Sequence, residues 1–174
     1  RLFDFGPVMG PHQRHRQPGS YHFGWLTGPE ELVLDYVYTT LPPKKAFFPP
    51  YQALFHFELT EPFEIKPALD TTPFTLVGVH PCDLQALDQL DVAYGAAPAE
   101  AVWAANRKRA RVIGVDCMPD EYCFCTSLGT DQARGSCDLF LTRIKRGFLV
   151  EVRTPAGEDM LSGVGSHEPT AQDR

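Results

Sequence analysis

The order of apolar and helical segments in this 174-residue sequence predicts an α/β fold with a mixed, partly parallel sheet, flanking helices and a proline-rich N-terminal part. The run FTLVGVHP (74–81) is apolar and β-rich and ends at a proline, as a buried strand would. Two helical segments follow it, and then a second apolar run, ARVIGVDC (110–117). A strand–helix–helix–strand order is typical of a parallel sheet. Sixteen prolines, about twice the usual ~5% share, argue against a helical bundle.

The composition divides the chain into three parts. Residues 1–20 are rich in Pro, Gly, His and Arg and predict an extended arm or loop. Residues 21–155 contain the cysteines and the regular segments, and predict one α/β domain. Residues 156–174 are polar and predict a flexible tail, as in a fragment of a longer protein.

Two helices are predicted between the apolar runs. In PCDLQALDQLDVAY (81–94), Leu84, Leu87 and Leu90 recur at helical spacing, and APAEAVWAANRKRA (97–110) is the second helical segment. We interpret the basic residues at its end as a solvated helix terminus.

The C-terminal part of the domain predicts a hairpin. DLFLTRI (138–144) and GFLVEVRT (147–154) are strand-like, and Gly147 in the intervening KRG suits the turn.

Composition and motifs exclude several functions. The net charge of −6 argues against a nucleic-acid partner, and no apolar run reaches the ~18–20 residues of a membrane span. No G-x-G-x-x-G or G-x-x-x-x-G-K-[ST] nucleotide motif occurs, and no secretory signal is visible.

Cysteine spacing points to a metal, cluster or redox site. Three of the five cysteines form C-x5-C-x-C in VDCMPDEYCFCTSLG (115–129). An odd number of cysteines in a chain of this length is a poor disulfide framework. Cys82 and Cys117 each follow the carboxyl end of a predicted strand, where α/β sheets bind ligands. If these strands are neighbours, Cys123 and Cys125 on the next loop can complete a four-thiolate pocket.

The cysteine spacing alone does not determine which metal or cluster four thiolates would bind. C-x5-C-x-C matches neither the knuckles of zinc ribbons nor the C-x2-C-x2-C run of ferredoxins. Phe124 and the small residues of TSLGT lean toward an iron–sulfur cluster, since free N–H groups near sulfur tune its potential. A third hypothesis makes Cys82 a nucleophile flanked by His80 and Asp83, with a thiol pKa lowered by a helix N-terminus.

Two further predictions concern side-chain placement. Cys137 alternates with Leu139 and Leu141, so it should share their face and pack as a small hydrophobe. In LPPKKAFFPP (41–50), one of the two phenylalanines should be in the core. The other, with Lys44 or Lys45, should lie near the cysteine pocket or a subunit interface.

Four segments together resemble the beta subunit of the soluble NiFe sulfhydrogenases, the corresponding iron–sulfur subunit of anaerobic sulfite reductase and related 4Fe–4S dicluster proteins. They are LPPKKAFFPPYQALFHF, VGVHPCDLQALDQLD, VIGVDCMPDEYCFCTSLGT and CDLFLTRIKRGFLVEV. The match runs in order through most of the chain, and C-F-C-T-S is its most specific element. His80 and Leu128 stand where the family usually has Arg and Met, and Cys137 stands where it usually has no cysteine.

The resemblance implies the N-terminal domain of an iron–sulfur electron-transfer subunit, cytoplasmic, with no catalytic residue of its own. Cys82, Cys117, Cys123 and Cys125 correspond to the family's motif cysteines, the implied ligands of a 4Fe–4S cluster that aerobic preparation would lose or replace with Zn. The implied partners are flavin-containing and catalytic subunits of a redox complex. A ferredoxin-like domain would follow residue 174. The alternative is a non-catalytic docking or scaffold domain with a structural Zn or no metal.

Overall fold

The computed structural model describes residues 2–13, 19–96, 100–132 and 134–170, and within them eight strands and four α-helices. The strands are β1 (Val8–Gln13), β2 (Tyr21–Trp25), β3 (Phe55–Phe57), β4 (Ile65–Pro67), β5 (Phe74–Val79), β6 (Ala110–Val115), β7 (Leu139–Ile144) and β8 (Gly147–Val152). The helices are α1 (Pro81–Gly95), α2 (Ala101–Arg109), α3 (Cys125–Leu128) and α4 (Pro155–Leu161). Short 3-10 turns cover Leu2–Phe5, Pro29–Glu31 and Pro43–Ala46.

Six strands form one mixed sheet in the order β2–β1–β5–β6–β7–β8. The four central strands run parallel, and β2 and β8 close the two edges in antiparallel pairs. Strands β3 and β4 form a separate antiparallel hairpin. The predicted α/β class with a mixed, partly parallel sheet is confirmed.

The central β5–α1–α2–β6 unit forms as the sequence predicts. Every residue of β5 is buried, because helices and loops cover both faces of a parallel sheet. Helix α1 begins at Pro81, whose fixed φ suits a first helical position, and buries Leu84 and Leu87. The Glu100 carboxylate caps α2 by accepting hydrogen bonds from the first-turn backbone N–H groups.

The core has one layer on each face of the sheet. Leu76, Leu84 and Phe140 belong to the layer under α1 and α2. Val77 and Leu139 belong to the layer on the other face. Adjacent strand residues divide between the layers because side chains alternate along a strand.

The N-terminal region departs from the prediction. Residues 8–13, expected within an arm or loop, form β1, which pairs with β2 and with the central strand β5. Their Gly and Pro content suggests a loop, but the strand is stabilised by partners distant in sequence, which local composition does not report. Residues 14–18 of the predicted arm lie outside the described residues.

The C-terminal region departs in the same way. Part of the expected tail forms α4, where the Thr154 side chain accepts a hydrogen bond from the Gly157 N–H and Met160 is buried. Residues 171–174 lie outside the described residues. The division of the chain into domains stays a prediction.

The basic run at the end of α2 is not a solvated helix end. Arg107 makes a two-point ion pair with Asp91 of α1, at 2.8–3.0 Å. Arg109 pairs with Asp70 at 3.0 Å and lies over the Phe74 ring. These arginines therefore join α2 to α1 and to the start of β5. None of the helices among the described residues has the length and apolar character needed to cross a bilayer.

Candidate functional site

Sheet topology brings Cys82 and Cys117 to one edge. Strands β5 and β6 are adjacent and parallel, so their carboxyl ends meet there. Cys82 is the second residue of α1, and Cys117 lies two residues beyond the end of β6. Asp116 anchors the start of the next loop, because its N–H donates to the Leu141 carbonyl of β7 at 2.9 Å. The condition set by the sequence, that the two strands be neighbours, is met.

The loop after Cys117 carries the remaining thiols and is held by its own backbone. The Cys123 N–H donates to the Asp120 carbonyl at 3.2 Å, closing a turn. Cys125 begins the short helix α3, and its carbonyl accepts the Thr130 N–H at 2.8 Å. Gly129 ends the helix at φ +66°, a left-handed conformation that favours glycine.

Three of the four thiols line one cavity of about 450 Å³, a volume within the range of small-ligand sites. These residues are Cys82, Cys123 and Cys125. Cys117 is within electrostatic reach of all three, since their charges raise the pKa of its thiol. The structure therefore groups the four predicted residues around one edge of the sheet.

Burial and neighbouring charges keep the Cys82 and Cys117 thiols protonated at pH 7. Burial, followed by the charges of Asp83 and Cys125, raises the pKa of Cys82 to about 11. Burial, followed by the charges of neighbouring thiols, raises the pKa of Cys117 to about 12. A bound cation would reverse this balance by stabilising the thiolates. The raised pKa of Cys82 contradicts the lowered value that the nucleophile hypothesis requires.

No three His, Cys, Asp or Glu side chains among the described residues converge on a position for one metal ion. A tetrahedral zinc site needs its sulfurs about 2.3 Å from a single centre. The donor chemistry of four soft thiols suits iron–sulfur or zinc binding, but the side chains are not arranged around a single ion. The four-cysteine ligand set stays a prediction.

A buried imidazole borders the same cavity. His80 is 2% exposed, and its Nε2 has no hydrogen-bond partner among the described residues. Its ring stacks on Tyr36 at 3.9 Å between centroids, and the Tyr36 hydroxyl donates to the Gly78 carbonyl at 2.6 Å. Burial lowers the pKa of His80 to about 4, so the ring is neutral at pH 7. A hydrogen bond to a metal group bound in this cavity, or to its sulfurs, could satisfy the Nε2 of His80.

Sequence reasoning missed the residues that pack beside His80 in this cavity. Residues 36–39 and Pro42 line the same cavity as Cys82, Cys123 and Cys125, and no motif marks them. Their placement depends on the Tyr36 hydroxyl reaching the end of β5, a contact between residues 42 positions apart.

The LPPKKAFFPP segment behaves partly as predicted. Phe47 is fully buried in the core. Phe48 is 36% exposed and packs on Tyr94 and Trp103, at the far end of α1 from the cysteines. Lys44 is close enough to Asp83 for its charge to oppose the burial that raises the pKa of that carboxyl to about 6.

Cys137 is separate from the other thiols. It is 6% exposed and packs in the core layer that contains Phe140, whereas Leu139 belongs to the opposite layer. The prediction of burial is confirmed. The prediction that it shares a face with Leu139 is wrong, because β7 begins at Leu139 and strand alternation does not extend back to 137. Arg153 Nη1 lies 3.5 Å from its sulfur.

The fold and the grouped thiols define a cysteine-bearing α/β domain. No family model and no solved structure matches the chain. The sequence is 40% identical over 161 residues to sulfhydrogenase 2 subunit beta of Pyrococcus furiosus, an alignment that covers 92% of this chain and 46% of that relative. This similarity over nearly the whole chain supports the sulfhydrogenase beta-subunit family. It spans less than half the length of the relative it matches.

Proposed function

We propose that this chain is the N-terminal domain of an iron–sulfur electron-transfer subunit in a multi-subunit hydrogenase or sulfite-reductase-type complex. The observation that carries the proposal is the grouping of Cys82, Cys117, Cys123 and Cys125 at the carboxyl edge of the sheet. The similarity to a sulfhydrogenase beta subunit supports it.

In this proposal the four thiolates hold one 4Fe–4S cluster, one thiolate for each iron. The cluster supplies one-electron transfer. Cys82 and Cys117 are carried by the rigid strand ends, and Cys123 and Cys125 by the loop that faces them. Tyr36 and the neutral His80 exclude water from one wall of the cavity.

The proposed partners are the flavin-containing and catalytic subunits of the complex, with the cytoplasm as the compartment. We assign no catalytic residue to this chain, because its proposed site residues are cluster ligands. The high thiol pKa values also oppose a role for Cys82 as a nucleophile.

Metal and sulfide analysis of protein prepared without oxygen tests the proposal. We expect about four iron and four sulfide per chain from this domain, with brown colour and absorbance near ~400 nm. A colourless protein with stoichiometric zinc, or with no metal, would contradict the proposal and favour the docking or scaffold alternative.

A further inference from the structure

The β3–β4 hairpin has one apolar and one polar face. Phe57 lies directly opposite Ile65, and His56 lies directly opposite Lys66. Opposed residues share a face and successive residues alternate, so Phe55, Phe57 and Ile65 lie on one face. His56 and Lys66 lie on the other. We call residues 55–67 the aromatic hairpin.

The hairpin borders α2 at one end. His56 and Pro67 line a cavity of about 460 Å³ together with Asn106 and Arg109 of α2. The apolar side chains lie outside this cavity and are exposed. Phe57 is 54% and Ile65 59% exposed, so the hairpin presents apolar side chains where a surface hairpin ordinarily presents polar ones.

Three aromatic rings of the hairpin form a continuous apolar surface. Ring centroids lie 6.4 Å apart for Phe55 and Phe57, and 6.5 Å apart for Phe57 and Phe63. The exposed large apolar residues of this region are Tyr51, Leu54, Phe55, Phe57, Leu59, Phe63 and Ile65. Phe55, Phe57, Phe63 and Ile65, each 54–61% exposed, present on the order of 450 Å², taking ~200 Å² per side chain. That area lies within the ~300–600 Å² of the largest apolar patch on a typical monomer, a patch that is often functional.

The hairpin is a sheet of only two strands within the described residues. An isolated two-stranded hairpin is marginal in water and gains stability when its apolar face is covered. Docking would therefore stabilise the hairpin as well as bury the patch.

The charges around the apolar patch indicate what kind of partner surface could bind it. Glu58, Glu61 and Glu64 lie on the segment that connects the two strands. Lys66 pairs with Glu64 at 2.7 Å, while no ion pair of Glu58 or Glu61 occurs among the described residues. An acidic rim is repelled by anionic lipid and by the same rim on a second copy. It is complementary to lysines and arginines.

We propose that the aromatic hairpin docks into an apolar groove edged by Lys and Arg on another subunit of the same complex. This inference rests on the partner subunits of the proposed function and is independent of the cluster.

The test uses the full-length protein assembled with the other subunits of its complex. Phe57→Ser should weaken assembly at least tenfold, because truncation of a central aromatic anchor removes a major contribution to binding. His56→Ser is the matched control on the adjacent position and opposite face, and should stay within about twofold of wild type. In the wild-type protein, hairpin amides should exchange hydrogen more slowly in the complex than in the free subunit, which requires no variant.

Four results would overturn the proposal. The first is equal hairpin exchange in the free and assembled protein, and the second is equal assembly of the two variants. The third is a homodimer of the isolated protein that Phe57→Ser abolishes. The fourth is Phe57-dependent binding to phosphatidylglycerol vesicles. Iron and sulfide measured in the same samples separate this test from that of the proposed function. Normal iron with no hairpin effect overturns only the docking, and absent iron with a protected hairpin overturns only the cluster.

Discussion

Replacing Cys137 with serine separates structural from ligating cysteines. The side chain is 6% exposed in the core layer beside Phe140. Burying a hydroxyl in place of a thiol costs about 1–3 kcal/mol. Arg153 Nη1, 3.5 Å from the sulfur, can donate to the new oxygen and keep the loss near ~1–2 kcal/mol. At ~2–4 °C per kcal/mol for a chain of this size, the melting temperature should fall by roughly 2–8 °C.

The iron content of the cysteine variants should change in the opposite sense to their thermal stability. Cys137→Ser should retain wild-type iron and sulfide, because this thiol is buried in the core and does not line the thiol cavity. Cys123→Ser and Cys125→Ser should lose most of the iron, while their metal-free forms should melt close to the metal-free wild type, since both side chains are only half-buried. The assay is iron, sulfide and a thermal melt on the variants, reconstituted side by side without oxygen.

Loss of iron from Cys137→Ser with retention in Cys125→Ser would refute the proposed ligand set. Equal iron in every variant would refute the presence of a cysteine-bound cluster in this domain.

Three other predictions follow from particular contacts. Asp91→Ala should lower the free energy of unfolding by about 1–3 kcal/mol in urea denaturation, because it leaves the half-buried Arg107 guanidinium without its carboxylate partner. Metal loading should strengthen as pH rises from 6 to 9 in equilibrium titrations, because Cys82 and Cys117, with pKa values of about 11 and about 12, must release protons to bind. Gly78→Ala should destabilise the fold by more than ~1–2 kcal/mol, since φ is +83° and the new Cβ would lie 3.0 Å from two side chains.

Each of these has a control in the same chain. Asp88→Ala, one turn earlier on α1, removes only an exposed hydrogen bond from the Ser136 N–H and should cost less than ~1 kcal/mol. Gly129→Ala has φ +66° and no atom of the described residues within 4 Å, so it measures the backbone cost alone. Equal losses of stability for Asp91→Ala and Asp88→Ala would contradict the ion-pair argument. Equal losses for Gly78→Ala and Gly129→Ala would contradict the packing argument. Metal affinity that does not change with pH would contradict protonated thiols.

The central unit of the fold could be predicted because its signals are local. The apolar run of β5, the leucine spacing of α1 and the two-residue turn between β7 and β8, which Gly147 follows, each act within a few residues. The positions of Cys82 and Cys117 just past two strand ends were predictable for the same reason. The spacing of Cys123 and Cys125 in the C-F-C-T-S segment is a property of the sequence alone.

Contacts between distant residues decided the rest. Strand β1 exists because β2 and β5 supply its hydrogen-bond partners, which its own Gly and Pro content does not reveal. The face of Cys137 depends on where β7 begins, and the wall at Tyr36 depends on a hydrogen bond to Gly78. The exposure of Phe57 and Ile65 on the aromatic hairpin depends on which parts of the domain pack near them. Local sequence determined which segments become strands and helices and where the thiols lie along the chain. The tertiary structure alone decided which faces are covered, because burial is a property of pairs of segments far apart in sequence.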